Sequence, residues 1–508
     1  MLFRRKLTVV GIAVLALFVV RPQAGYLRGR VSQTLRRALG REVEIRSVHL
    51  RFLPRPGFIL DNVVIADDSA FGAEPLVRAP EVTAWLRLIP LLRGRIEIST
   101  LNLADASLNV TSDEQGKWNV EELIDRTARV STAPTSARGR QARSKFPYIE
   151  ATQARINLKV GREKTHFAFT NADFALWQET ENAWALRLRA RPIRTDANLT
   201  DTGTVLLSGL WQRSSVLSQT PLQFSMTWNQ AQIGQLSKLI HGADRGWRGS
   251  AALSATVSGT PENLRLVLDA SVEDFRRHDV LGVRDLRLAA HCAANYSSAA
   301  KSLSNIECDA PDGYGAMELK GGASLGPSSP WVFSSYDLRV IARKVPAESV
   351  LMLARHLDPN ISSAVEVNGT IEANLEISRS GSRGRPLWRG HGTIQEFKVS
   401  SSRSTSLLLL GTVPFTIDSA QPPALKSMKK TIAPAWSRTL AEKYPAIGSD
   451  PQVEIGPINI GLGSQVPIEA RALYSPAACN STANGVRQVR MAMISAESDA
   501  TTITSCSA

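Results

Sequence analysis

The chain has 508 residues, 43% of them hydrophobic and 21% charged. That length and apolar share exclude a chain disordered throughout and allow several domain-sized units. The net charge of +14 points to an anionic partner, either nucleic acid or an acidic membrane surface.

Arg4, Arg5 and Lys6 precede "LTVVGIAVLALFVV", the uncharged run Leu7–Val20. As a helix this run measures about 21 Å, the scale of a secretory signal's apolar region. No small-x-small cleavage site follows, because "RPQAG" places Pro22 and Ala24 there. Residues 1–21 are therefore expected to form an uncleaved signal anchor, one transmembrane helix lengthened by snorkelling of Lys6 and Arg21. A cleaved signal is the competing reading. Arginines at 21, 28, 30, 36 and 37 follow the run and weigh against an inside N-terminus. The likeness to an export signal favours an inside N-terminus nonetheless.

Next comes "GYLRGRVSQTLRRALG", with Leu27, Val31, Leu35 and Leu39 on one helical stripe and Arg28, Arg30, Arg36 and Arg37 elsewhere on the wheel. This is an amphipathic helix with a basic face. It suits a membrane surface and equally suits a helix capping the following sheet.

From Arg41 the apolar period becomes two. Val43 and Ile45 alternate, the phase shifts at Ser47–Val48, and Val48, Leu50 and Phe52 continue. Phe58 and Leu60 follow the turn "PRPG"; Val82, Ala84, Leu86 and Leu88 come later; Ile96, Ile98, Leu101, Leu103, Leu108 and Val110 complete the pattern. Such runs predict an antiparallel meander with one apolar face over residues 22–130. Asn119 is expected to cap a short helix, "NVEELIDRTA". Residues 131–146 lack large apolar side chains at first and read as a basic linker or loop. Strand patterns resume at Tyr148 and run through 147–410.

Two segments in that stretch look alike. "QIGQLSKLIHGADRG" precedes "ATVSGTPENLRL", and "AESVLMLARHLDPN" precedes "VEVNGTIEANLEI". Each reads as a short amphipathic helix, a strand, a Gly-Thr turn and another strand, which suggests an array built by repetition; chance likeness is the alternative. In 411–508, "VEIGPINIGLG" alternates again before a polar tail.

Four cysteines, Cys292, Cys308, Cys479 and Cys506, fit an oxidising compartment. Cys292 with Cys308 across a hairpin, and Cys479 with Cys506, are natural pairs, but spacing does not choose among the connectivities or exclude four free thiols. No CxxC suggests zinc.

Catalytic motifs are missing: there is no HExxH, GxSxG, P-loop or strand-linked GxGxxG. His291 beside Cys292 is more simply a chance neighbour than a site. Asp67-Asp68 and Glu121-Glu122 are adjacent, so on a strand they face opposite ways; they read as solvated turn and helix-start charges. The expectation is a non-enzyme with no metal and no cofactor. Nucleic acid is disfavoured too. From Arg21 to Arg55 nine arginines meet two acids, yet aromatics hardly interleave them, and anionic headgroups account for the same charge.

Several ordered features of the first 130 residues resemble the AsmA family of bacterial envelope proteins. They are the short anchor; "ALGREVEIRSVHLRFLPRPGFILDNVVIADD" (Ala38–Asp68); "VRAPEVTAWLRLIPLLRGRIEISTLNLADASLNV" (Val77–Val110); and "GKWNVEEL" (Gly116–Leu123). The C-terminal "VEIGPINIGLGSQVPIEARALYS" is similar to that family's terminal sheet. The resemblance implies a mainly β fold: an elongated, curled antiparallel sheet, a half-pipe or groove, with short amphipathic helices and one N-terminal transmembrane helix. It implies an inner-membrane protein with its bulk in the periplasm. It also implies an apolar groove that binds or conducts phospholipid for outer-membrane biogenesis, as in chorein-type bridge-like lipid transfer proteins.

On that reading the alternating residues from Val43 to Val110 line the groove, Arg28, Arg30, Arg36 and Arg37 touch the membrane surface, and another envelope protein meets the distal end. Trp118 is expected to plug the end of the sheet. The competing function is an assembly factor for outer-membrane proteins with no lipid path.

Overall fold

The computed structural model describes residues 28–29, 31–33, 35–36, 40–51, 53, 55–92, 97–113, 118–120, 147–160, 163–180, 182–214, 216–277, 286–312, 315–326, 329–357, 364–381, 386–401, 404–419, 452–462, 465–474, 488–494 and 501–506. They are mainly β, with a few short helices. The predicted anchor lies outside them, and no described helix is long and apolar enough to cross a membrane. Two compact units divide within the helix Ile233–His241.

In the first unit, β1 (Val43–Glu44) and β2 (Ser47–Arg51) share one edge of β3 (Gly57–Ile65). The order continues through β4 (Val77–Leu86) to β5 (Ile98–Ala104) and β6 (Ser107–Ser112). Then come β7 (Tyr148–Val160), β8 (Glu163–Thr180), β9 (Ala183–Arg194), β10 (Thr204–Gln212) and β11 (Leu222–Gln232). The expected all-antiparallel meander is corrected in one place: β5 and β6 both pair parallel with β7. They form one strand line broken at Asp105, whose φ is 49°. A long crossover after β6 supplies the connection that a parallel pair needs.

The second unit is a regular meander from β12 (Trp247–Thr260) through β13 (Asn263–Arg277), β14 (Leu286–Ser297), β15 (Ser302–Asp312), β16 (Gly315–Gly326) and β17 (Ser329–Pro346). It continues through β18 (Val365–Arg379), β19 (Leu387–Ser401), β20 (Ser404–Asp418), β21 (Gln452–Leu462), β22 (Gln465–Tyr474), β23 (Gln488–Ile494) and β24 (Thr501–Cys506). Each strand is antiparallel to the next. The helix Ala347–Leu357 interrupts the series between β17 and β18.

Left-handed bulges recur in these strands. Gln153, Asn171, Asp274, Asn305, Lys344 and Glu396 have φ between 48° and 54°, and each sits in a register shift. A bulge bends its strand and increases local twist. It also moves the inward set by one residue: Ala151 gives way to Ala154 across Gln153, and Ala172 to Phe169 across Asn171. Gly369 belongs to this class. It lies inside β18 beside a register shift, not in the turn expected there, so the two helix–strand copies differ at this point.

Two other local expectations change. The strand after Val82 ends at Leu86, and Leu88 opens the short helix Leu88–Leu92. Asp67 is no solvated turn charge: its carboxylate pairs with Arg41 Nη1 at 3.1 Å, and the two side chains are only 3% and 7% exposed. Asn119, expected to cap a helix that lies beyond the described residues, joins this buried pair. Its Nδ2 donates to Asp67 Oδ2 at 2.5 Å and to Asn109 O at 2.8 Å, and its Oδ1 accepts from Thr111 N at 3.0 Å. Asp68 does act as an exposed cap, accepting from Ala70 N. Trp118 bridges Ser112; the rest of the expected helix, Glu121-Glu122 included, and residues 131–146 fall outside the described residues.

Candidate functional site

Directly paired residues on adjacent strands point to the same side of a sheet. In the first unit this register places Val48, Leu60, Val82, Leu103, Ala151, Phe174, Leu188, Leu207 and Met226 in one row across β2 to β11. Leu50, Phe58, Ala84, Leu101, Ile149, Leu176, Leu186, Gly209 and Phe224 form the row beside it. A third row joins Val43, Ile65, Val77, Leu108, Ile156 and Phe169.

The character of this face changes along the sheet. At its start, Val43, Ile45, Val48, Phe58, Leu60, Val82 and Leu86 are buried, with Val31 and Leu35 packed against them. The helical residues Val31 and Leu35 therefore cap the sheet, and Ser32 Oγ donates to Val43 O at 2.6 Å. Ile98, Leu101, Leu103, Leu108 and Val110 are only partly buried, as are Phe174, Leu188, Leu207 and Met226 further on. Leu50, on the edge strand, and Leu88, on the short helix, are exposed. Phe52, Ile96, Arg30 and Arg37 lie outside the described residues. Arg28 is exposed, and Arg36 is 3.9 Å from Glu42.

The second unit continues the same design by itself. Ala255, Leu268, Cys292, Cys308, Leu319, Val340, Leu375, Gly390 and Ile417 form one row across β12 to β20. The register carries on to Val453, Tyr474 and Val489. Every residue from Ala255 to Ile417 in this row is half-buried. On the opposite side Asp269, His291, Asp309, Glu318, Ile341, Asn374, His391 and Thr416 make the matching row, mostly polar and mostly exposed.

Cys292 and Cys308 are disulfide-bonded, with Cα atoms 4.0 Å apart. Cys479 lies outside the described residues, and Cys506 ends β24 opposite Gln488.

The face is closed at defined places. Trp184 and Trp211 stack at 6.3 Å between ring centroids, and Trp211 stacks on Phe224 at the same distance. They fill the end of the first unit's rows nearest the β8–β9 hairpin. In the second unit, the buried cluster among described residues is Ile233, Phe275 and Leu286, joined by Trp247, Met352 and Leu353. His356 stacks on Phe275 at 5.0 Å, and its carbonyl accepts from Trp247 Nε1 at 3.0 Å. The neighbouring Arg355 donates to Val365 O at the start of β18. Consecutive residues thus reach β12 and β13 on one side and β18 on the other, six and five places apart, and the helix Ala347–Leu357 lies across the strand ends.

Ionisable groups do not converge on this face. Among the described residues no His, Cys, Asp and Glu cluster has metal-binding geometry. Asp196, exposed at the end of β9, has its carboxyl held below the ordinary value by a hydrogen bond from Arg194. What this surface can do is bind apolar matter without directional contacts.

Comparison with known proteins agrees with the N-terminal reading. Residues 6–175 match the model of the AsmA family. No curated protein and no solved structure matches the chain.

Proposed function

We propose that this AsmA-family protein handles phospholipid in the bacterial cell envelope, with acyl chains lying on the apolar rows of its sheet. The observation that carries this reading is the row from Ala255 to Ile417. It is continuous over nine strands and half-buried throughout, and none of its members belongs to that unit's buried cluster of Ile233, Phe275 and Leu286. An apolar sheet face needs a cover, and each methylene of a lipid tail withdrawn from water there contributes about 0.8 kcal/mol. A tail of about 15 Å, half a bilayer core, spans three strand spacings of ~4.8 Å. Sliding it along the row breaks no specific bond, which suits transfer and needs no catalytic group.

Within the same proposal, Leu7–Val20 holds the protein in the inner membrane, the bulk lies in the periplasm, and the lipid serves outer-membrane biogenesis. The bulges that bend successive strands support a half-pipe form of the sheet. The test is native mass spectrometry with lipid extraction on the full chain purified from an envelope fraction. Phospholipid is expected to co-purify and to be lost in Leu268→Asp and Val340→Asp but retained in Asn374→Asp on the polar side. A folded protein without lipid, or loss that ignores the side substituted, overturns the reading in favour of an assembly factor.

A further inference from the structure

One end of the first unit carries a second apolar surface, distinct from the rows. The β2–β3 turn and the short helix after β4 leave adjacent strands side by side: Gly57 pairs with Trp85, and Leu86 N donates to Pro56 O at 3.0 Å. Leu53 on the turn is 83% exposed; Leu88 and Ile89 on the helix are 59% and 67% exposed. Arg51 and Arg55 flank Leu53 and are exposed. Arg51 lies 5.2 Å from the Trp85 ring centroid and donates to Leu53 O at 3.1 Å, so it braces the turn from its base. Three large aliphatic side chains projected into water are unfavourable for an isolated soluble surface. Aliphatic tips with Arg51 and Arg55 beside Leu53 match a membrane boundary, where the apolar part enters the acyl region and the cations stay among anionic headgroups.

The direction of the chain gives an independent argument. Arg36 is near Glu42, Ser32 Oγ bonds Val43 O, and Arg28 lines the same cavity as Arg46. The helical segment therefore runs antiparallel to the strand line β1–β2. Its N-terminal end, which leads back to the apolar run Leu7–Val20 eight residues before Arg28, points along the same direction in which β2 travels toward Leu53.

We infer that Leu53, Leu88 and Ile89 form a membrane-dipping tip. It seats this end of the sheet on the anionic bilayer in which the N-terminal run is anchored, so that the apolar rows start at the lipid surface. The inference deepens the lipid-handling reading and rests on its anchor.

The test places a photoreactive benzophenone side chain at Leu53 or Ile89 of the full chain, and at Ser208 on the polar side as reference. The protein is reconstituted in vesicles of phosphatidylethanolamine and phosphatidylglycerol. Lipid adducts at positions 53 and 89 should exceed those at 208 several-fold. Yields equal to that at 208, or adducts on another protein in place of lipid, overturn the inference. These exposed positions make no packing contribution whose loss would unfold the chain. Lipid bound on the rows is scored separately by the Leu268→Asp experiment: tip adducts without row lipid keep the tip and sink the lipid-path reading, and row lipid without tip adducts does the reverse.

Discussion

Cys292 and Cys308 stand directly opposite each other on β14 and β15, disulfide-bonded, between Leu268 and Leu319 in the apolar row. A disulfide there pins the β14–β15 hairpin while leaving an apolar, low-profile surface. The two residues are 16 apart in sequence, so the chain-entropy account gives about 3 kcal/mol for the closed loop. The double variant Cys292→Ala/Cys308→Ala should lose that much protection against local opening, read as faster amide exchange confined to β14 and β15. Lipid co-purification should persist, because Ala keeps the row apolar. Lost lipid with unchanged exchange would mean the sulfurs act in the path and not as a staple.

Gly209 sits directly opposite Phe224, and a Cβ built there would lie 2.1 Å from the Phe224 ring. The glycine lets the ring lie flat on the neighbouring strand, where it stacks on Trp211. Gly392 and Phe415 repeat the device in the second unit, with a Cβ 2.4 Å from the ring. Gly209→Val should lift Phe224 off the sheet and cost about 1–3 kcal/mol, as overpacking does. Near-ultraviolet circular dichroism and Trp emission are the readouts, since the Trp184–Trp211–Phe224 stack should loosen. Unchanged aromatic spectra would show that the ring does not depend on the missing Cβ.

Much of the face was legible in the alternation itself. Val48, Leu60, Val82 and Leu103 fall into one row, and Leu50, Phe58 and Leu101 into the next, because strand side chains alternate with period two. The phase jumps were not legible. Gln153, Lys344 and Glu396 adopt positive φ, yet none of these residue types carries a turn signal. The strand ended before Leu88 because "LIPLL" turns into a helix that alternation alone extends as a strand. The burial of Asp67 was hidden for a different reason: its partner Arg41 is 26 residues away in sequence and meets it only in the fold. The parallel entry of β7 was likewise hidden, since it depends on a crossover and not on any local pattern.

That polar network yields its own prediction. Arg41, Asp67 and Asn119 close the first unit's sheet beside its apolar rows, and the two charged side chains are almost fully enclosed. Removing one partner breaks a buried ion pair, which typically costs 3–5 kcal/mol. Asp67→Ala and Arg41→Ala should each destabilise the first unit by about that amount, read by limited proteolysis and thermal melting. The double variant should cost less than the two singles summed, because the interaction between the pair is then lost only once. Strict additivity would rule out the pair as a unit.

A meander in which each strand contacts its sequence neighbours distributes stability locally, as in repeat arrays. Ile233, Phe275 and Leu286 form the second unit's buried cluster among the described residues, with Trp247, Met352 and Leu353 against them. Phe275 touches both Trp247 and His356, so it joins the start of β12 to the helix Ala347–Leu357. Phe275→Ala should cost roughly 3–5 kcal/mol of local stability. The loss should show as faster amide exchange in that helix and at the adjoining ends of β12 to β14, while β19 and β20 keep their protection. Uniform loss across all strands would mean that the unit melts as one cooperative body, and that its apolar rows are sealed by more than this one end.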